Sequence, residues 1–93
     1  MKIRSDASIF LDFFYQDGNI PDGYSADFAI VQKDSVIKSG SLDICDEGDC
    51  FSLRITSDTI QEVGIGEYML LVSVKNEDTG YKDYIYEDNL KIV

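Results

Sequence analysis

Two cysteines are the residues with the most distinctive chemistry in this sequence. Cys45 and Cys50 flank the loop Asp46–Asp49, and a period of two along the flanking segments puts both side chains on the outer face of a hairpin, opposite each other. An oxidising compartment would allow them to form a disulfide, whereas in the cytosol we expect two reduced thiols. A C-x4-C pair without histidine offers only two of the four ligands that zinc requires. We therefore expect no bound metal.

Catalytic side chains are less evident. The chain has no histidine, which is the side chain best suited to proton transfer near neutral pH, and no nucleophile stands beside a base. Carboxylate pairs can be chosen freely among 18 Asp and Glu residues, so none is singled out. The acidic loops Asp46–Asp49 and Glu77–Asp78 lack the alternating spacing of a calcium loop. The sequence predicts a protein that is not an enzyme and that uses no cofactor.

A pair of glycines precedes the longest apolar segment. Gly64 and Gly66 resemble part of a dinucleotide-binding glycine run, but a strand follows them instead of a helix, and the third glycine is missing. A structural role fits better. Gly66 permits a sharp turn between layers, and Tyr68 can fold its ring inward while its hydroxyl bonds nearby backbone, as in a tyrosine corner. We expect Gly66 and Tyr68 to form a structural corner.

The net charge excludes several classes of partner. Eight Lys and Arg against 18 Asp and Glu leave a formal charge of −10. Such a field repels a nucleic acid backbone or an anionic membrane surface. No segment approaches the ~20 apolar residues of a membrane span, and the sequence opens without an apolar run of signal-peptide length. We expect a protein made in the cytoplasm that binds neither nucleic acids nor membranes.

Apolar segments that end in Gly, Asp or Asn turns recur about every 8 to 12 residues, which predicts that short strands position the cysteines, the glycine pair and Tyr68. The predicted strands are Ala7–Tyr15, Tyr24–Val31, the edge strand Val36–Lys38, Ser41–Cys45, Cys50–Ile55, Ile65–Val74, Tyr81–Glu87 and Leu90–Val93. The segment Ser57–Val63 suits about one helical turn, capped by Ser57 or Asp58. The length suits one domain, residues 1–93, with one core. The pattern predicts an all-β fold, either an antiparallel sandwich or a barrel.

Two of these strands carry apolar side chains on both faces. With Ile9, Leu11, Phe13 and Tyr15 facing inward, Phe10 and Phe14 point outward. In the Gly66 strand, the outward positions are Met69 and Leu71. Sandwiches in water usually keep their outer faces polar, so these four side chains predict a protein interface, made either with further copies of the chain or with a partner. The alternative is that a loop or helical turn folds back and covers them.

The order of the elements resembles a known type of module. The features that carry the resemblance are Asp17-Gly18 and Pro21 after the first strand, Tyr24 opening the second, the strand Phe51–Thr56, the crossing segment Ser57–Ile60, and Gly66-Glu67-Tyr68. Together they are similar to the immunoglobulin-like β-sandwich modules of tailed phages and prophages, such as the amino-terminal domain of phage baseplate upper proteins. The resemblance implies one antiparallel sandwich of about seven to eight strands with a short helical turn. It also implies a non-enzymatic tail or baseplate part, assembled in the host cytoplasm into the virion through protein contacts.

A carbohydrate-binding sandwich is the alternative function. Tyr81, Tyr84 and Tyr86 near the carboxyl end could form an aromatic platform. Asp83 or Glu87 would then bond sugar hydroxyls. The chain has no tryptophan, the ring most useful for stacking on sugars.

Overall fold

The computed structural model describes residues 1–93. Its elements, in chain order, are β1 (Lys2–Ile3), β2 (Ile9–Phe14), β3 (Tyr24–Gln32), β4 (Ser35–Ile44), β5 (Cys50–Ile55), α1 (Ser57–Val63), β6 (Gly66–Asn76) and β7 (Lys82–Ile92). Strands account for 59% of the residues, and the only helix is short, so the predicted all-β class is confirmed.

The seven strands form one mixed, curled sheet in the order β1-β7-β6-β3-β4-β5-β2. Strand β1 runs parallel to β7, and every other pair is antiparallel. Strand β4 pairs with β3 as far as Leu42 and with β5 only at Asp43 and Ile44, so the sheet changes partner along this one strand. The prediction of a wholly antiparallel immunoglobulin-like sandwich is therefore not confirmed.

Two predicted strand breaks are wrong. Gly40 was expected to end a short edge strand, yet β4 continues through it, because Gly40 pairs with Phe28 of β3. The segment Val36–Lys38 pairs with β3 alone, as an edge strand does, since β5 joins β4 only at Asp43 and Ile44. The predicted break at Asp88-Asn89 is also absent. Strand β7 stays paired with β6 from Lys82 to Ile92 and accommodates one bulge, at Ile85.

A single apolar core lies inside the curl. Its buried members are Ile9, Ala26, Phe28, Ile30, Leu42, Phe51, Leu53, Ile55, Ile60, Leu70, Val72, Leu90 and Ile92. Residues of β2 and β5 thus pack against residues of β3, β6 and β7. Three of the four inward positions expected for the first strand are found, since Ile9 is buried and Leu11 and Phe13 pack against the core. The fourth, Tyr15, is wrong: β2 ends at Phe14, and Tyr15 is 42% exposed.

Helix α1 connects the two parts of the curl. It spans seven residues and anchors itself through Ile60, which is fully buried. Its cap is Thr56, whose side chain accepts a hydrogen bond from the Thr59 amide, and not the expected Ser57 or Asp58. Gly64 ends the helix with a φ of 91°, a conformation that glycine adopts without strain. The structure contains no helix with the length and apolar character needed to cross a membrane.

Candidate interaction surface

Strand β2 exposes two phenylalanines at the edge of the sheet. The side chains of Phe10 and Phe14 are 65% and 66% exposed. They alternate with inward-facing residues, as the period of two requires, and β2 has a neighbouring strand only on the β5 side. No loop or helical turn covers them. We call Phe10, Asp12 and Phe14 the β2 face.

Arg54 of β5 organises the β2 face. Its guanidinium carbon lies 5.1 Å from the centre of the Phe10 ring, and its Nη2 lies 3.0 Å from Oδ1 of Asp12. Its Nη1 donates a hydrogen bond of 2.9 Å to the Leu53 carbonyl, which holds the side chain against its own strand. A hydrogen bond from Ser52 is the main reason that the pKa of Asp12 lies below its ordinary value; desolvation opposes it, and the hydrogen bond and charge of Arg54 lower the pKa further.

The other two predicted contact residues lie elsewhere. Met69 and Leu71 are on β6, and strands β3, β4 and β5 separate β6 from β2. Both side chains are half-buried, because an inner strand has neighbours on both sides, here including Ala29 and Val31 of β3. The structure thus does not bring the four residues together into one surface, and Phe10 and Phe14 are the pair it leaves open.

The backbone of β2 has a free row of hydrogen-bonding groups. The Tyr15 amide donates to the Asp49 carbonyl at 2.8 Å, so this opposed pair is a hydrogen-bonded one. Such pairs alternate along an antiparallel ladder, which assigns the other bonds with β5 to Phe13, Leu11 and Ile9. The N–H and C=O groups of the residues of the β2 face therefore point toward the open edge.

An apolar cleft runs beside this edge. It has a volume of about 520 Å³ and is lined on the β2 side by the consecutive residues Asp12–Tyr15. Because both inward and outward side chains of β2 line it, the cleft follows the strand's backbone. Its opposite wall comes from Asp83 and Ile85 of β7. We call this space the edge cleft.

The β7 wall of the edge cleft is also an unpaired strand edge. Strand β1 pairs with β7 only at Lys91 and Ile92, so the earlier part of β7 has no strand on that side. The remaining apolar lining comes from Ile20, Pro21, Tyr24, Phe51 and Val74. Two carboxylates and no Lys or Arg line the cleft, and Asp83 takes part in no ion pair.

The edge cleft was not predicted from the sequence. Its signal was present in the loop Asp17–Gly23, where Ile20 and Pro21 interrupt otherwise polar turn residues. An apolar residue in such a loop indicates that the loop folds onto something. The Ile20 amide indeed donates to the Gly48 carbonyl at 2.8 Å, which ties this loop to the β4–β5 hairpin.

The Tyr68 ring turns inward at the start of β6. Its hydroxyl lies 3.0 Å from the Val63 carbonyl and 3.1 Å from the Gly64 carbonyl, so it donates to the backbone at the end of α1. A β-carbon on Gly66 would stand 3.1 Å from this hydroxyl and 3.3 Å from the ring. Glycine at position 66 therefore makes room for the phenol.

The two cysteines form a disulfide in this structure. Cys45 and Cys50 are opposed across the β4–β5 hairpin with their Cα atoms 5.4 Å apart, within the range that a disulfide spans. The Cys45 amide also donates to the Cys50 carbonyl at 2.9 Å. Asp49 is the one other potential metal ligand in this group, and the disulfide engages both sulfur atoms.

The three tyrosines of the predicted sugar platform do not share a face. Tyr81 and Tyr84 are exposed, whereas the Tyr86 ring packs against the core and its hydroxyl donates to Asp88. The bulge at Ile85 reverses the alternation between these residues. Burial, followed by the hydrogen bond to Asp88, raises the pKa of Tyr86 above its ordinary value.

Comparison with known proteins does not assign the chain to a class. No protein-family model matches it, and no curated protein is significantly similar to it. The functional conclusion therefore depends on the geometry of the β2 face and the edge cleft.

Proposed function

We propose that this protein is a non-enzymatic structural module with an immunoglobulin-like architecture, which acts through contacts with other protein subunits. The supporting observation is the pair Phe10 and Phe14, two large apolar side chains about two-thirds exposed on a strand at the edge of the sheet. Burying each ring against a neighbour would contribute about 1.5 to 3 kcal/mol. This stabilisation is absent while both rings stay exposed to water.

The proposal extends to a tail or baseplate part of a phage or prophage. The chain would be made in the host cytoplasm and incorporated into the virion by docking on other tail subunits. Support comes from the likeness of its element order to phage sandwich modules, and from the curl that packs β2 and β5 against β6 and β7 around one core.

Sedimentation velocity at several protein and salt concentrations tests this function. We expect the protein, alone or with purified tail proteins encoded by neighbouring genes, to form complexes that the double substitution Phe10→Ser and Phe14→Ser weakens without unfolding the domain. Self-association should strengthen with salt, since screening shortens the repulsion between chains of charge −10 to about 8 to 10 Å while apolar contact persists.

Ile65→Ser provides the matched control, because Ile65 is an exposed apolar residue in the turn between α1 and β6. It should leave the complexes unchanged. If the parent forms no complex in any of these mixtures, or if Ile65→Ser weakens complexes as much as the double substitution does, the β2 face is not the contact.

A polar groove beside Tyr84 supports carbohydrate binding as a second candidate function. The groove has a volume of about 490 Å³ and crosses one face of the sheet, lined by Lys82 and Tyr84 of β7, Asp27 of β3 and the Ser39–Ser41 segment of β4. One exposed ring next to hydroxyl and carboxylate groups is a suitable arrangement for a sugar. Tyr84→Ala should abolish oligosaccharide binding measured by calorimetry, and Tyr81→Ala, an exposed tyrosine outside the groove, should not.

A further inference from the structure

We infer that the edge cleft receives an extended segment of a partner protein, which adds to β2 as an antiparallel strand and alternates apolar with basic side chains. This inference rests on the proposed interaction function and specifies its partner. It depends on three independent features: the free backbone row of β2, the apolar cleft beside that row, and the charge around both.

The hydrogen bonds determine the register of the added strand. The residues of the β2 face have free N–H and C=O groups, and their side chains point outward. In an antiparallel ladder, two residues that bond to each other have side chains on the same face. Partner residues bonded to β2 would therefore have their side chains outside, beside Phe10, Asp12 and Phe14. The residues between them would point into the edge cleft beside Phe13.

This register assigns a chemistry to each set of partner residues. The inward set meets an apolar lining that includes Phe13, Phe51 and Ile85, which suits valine or isoleucine. The outward set meets the rings of Phe10 and Phe14 with the Asp12 carboxylate between them. Arg54 already pairs with this carboxylate and lies over the Phe10 ring, so the Phe14 ring and the net charge of −10 are what favour lysine or arginine in the outward set.

Charge favours a basic partner segment over a second copy of the chain as the occupant of the edge cleft. Each copy has a net charge of −10, so an edge-to-edge dimer through β2 would bring two strongly acidic molecules together. A basic segment is instead attracted over a Debye length of about 8 Å at physiological salt. The cleft lining itself contributes Asp83, which takes part in no ion pair, and Asp12, which is paired with Arg54 outside the lining.

The experiment uses three capped eight-residue peptides of alternating lysine and valine, added to the whole protein. One is unmodified, one is N-methylated at every lysine, and one is N-methylated at every valine. N-methylation removes the backbone donor and leaves the side-chain charge in place. We expect methylation at lysine to weaken binding at least about tenfold in fluorescence anisotropy, because it removes the donors that face β2, and methylation at valine to change it by less than about threefold.

Protein variants test the same bond from the other side. Asp12→Pro removes one N–H from the free edge, where proline is tolerated, and Asp12→Asn controls for the lost carboxylate. We expect Asp12→Pro to bind the unmodified peptide about tenfold more weakly than Asp12→Asn does, with circular dichroism showing that both are folded. If Asp12→Pro does not fold, the comparison of the two methylated peptides alone tests strand addition to β2.

Several outcomes would overturn the inference. Equal binding of the two methylated peptides would exclude the strand register, and equal binding of a peptide with glutamate in place of lysine would exclude the charge preference. No peptide binding, together with complexes that depend on Phe10 and Phe14, would reject strand addition and leave the proposed function standing. A homodimer that Asp12→Pro disrupts would make a second copy the occupant instead.

Discussion

The rings of Phe13 and Tyr86 meet edge to face, with their centres 5.4 Å apart and their planes at 62°. Phe13 is on β2, at one end of the sheet, and Tyr86 is on β7, the second strand from the other end. Their contact therefore spans the inside of the curl. It also lies directly next to the edge cleft, since Phe13 is one of the cleft's lining residues.

The first prediction concerns this aromatic pair. Phe13→Ala should lower the free energy of unfolding by about 2 to 3 kcal/mol, somewhat less than a fully buried ring would, since Phe13 is half-buried. A double-mutant cycle with Tyr86→Ala should give a coupling of about 0.5 to 1.5 kcal/mol in urea denaturation. Phe14→Ala, one residue further along, should change stability by less than about 0.5 kcal/mol. Equal costs at positions 13 and 14 would contradict the inward and outward assignment.

Tyr68 should contribute to stability through both its ring and its hydroxyl. Tyr68→Phe removes the hydrogen bond to the carbonyls at the end of α1 and should cost about 1 kcal/mol. Tyr68→Ala also removes the ring and should cost about 3 kcal/mol. Tyr81→Phe, at an exposed tyrosine, serves as the control. Denaturant midpoints for both Tyr68 variants that match the parent would place Tyr68 on the surface.

Gly40 should be intolerant of even a methyl group. A β-carbon there would lie 2.7 Å from Cε1 of Phe28, a buried ring, so Gly40→Ala should destabilise the domain by about 1 to 3 kcal/mol. Adding Phe28→Leu, which shortens the obstructing side chain, should make the Gly40→Ala substitution less costly. Ser39→Ala is the neighbouring control. The close approach would be refuted by a Gly40→Ala variant as stable as the parent.

The cysteines should form an intramolecular disulfide on oxidation. Closing a loop of this length stabilises a domain by about 2 kcal/mol on the loop-entropy relation. We expect reduction, or the double substitution Cys45→Ser and Cys50→Ser, to lower stability by roughly this amount. Mass spectrometry after alkylation at low protein concentration reports the linkage. Disulfides formed only between chains would show that the two thiols do not pair across the hairpin.

The Asp12 carboxylate should make stability depend on pH in the acid range. Its pKa is lowered from 3.8 in the folded protein, so its stabilising effect is present above the unfolded value and is lost as pH falls through the folded value. The stability difference between the parent and Asp12→Asn should thus be constant above about pH 5 and shrink below about pH 4. NMR titration of the carboxyl carbon measures the pKa directly. A difference that stays constant down to the lowest pH would contradict the assignment.

Local sequence patterns determined the strands and their faces. Alternation in Ile9–Phe14 and in Tyr68–Val74 predicted which residues point inward, because side chains on a strand have a period of two whatever the strand packs against. The same pattern identified Phe10 and Phe14 as outward residues, and the exposure of both follows from it. The short helix was visible from the spacing of Ile60 and Val63, although its cap is Thr56 and not the expected Ser57 or Asp58.

Only the tertiary structure decided how the strands are joined and what lies between them. Gly40 was expected to be a stop because glycine often ends a strand, whereas here it makes room for the Phe28 ring of a neighbouring strand, a contact that no local pattern encodes. Met69 and Leu71 were expected to be open like Phe10 and Phe14, yet an inner strand has neighbours on both sides and an edge strand has only one. The edge cleft exists for the same reason, since strand order and curl place two unpaired edges opposite each other.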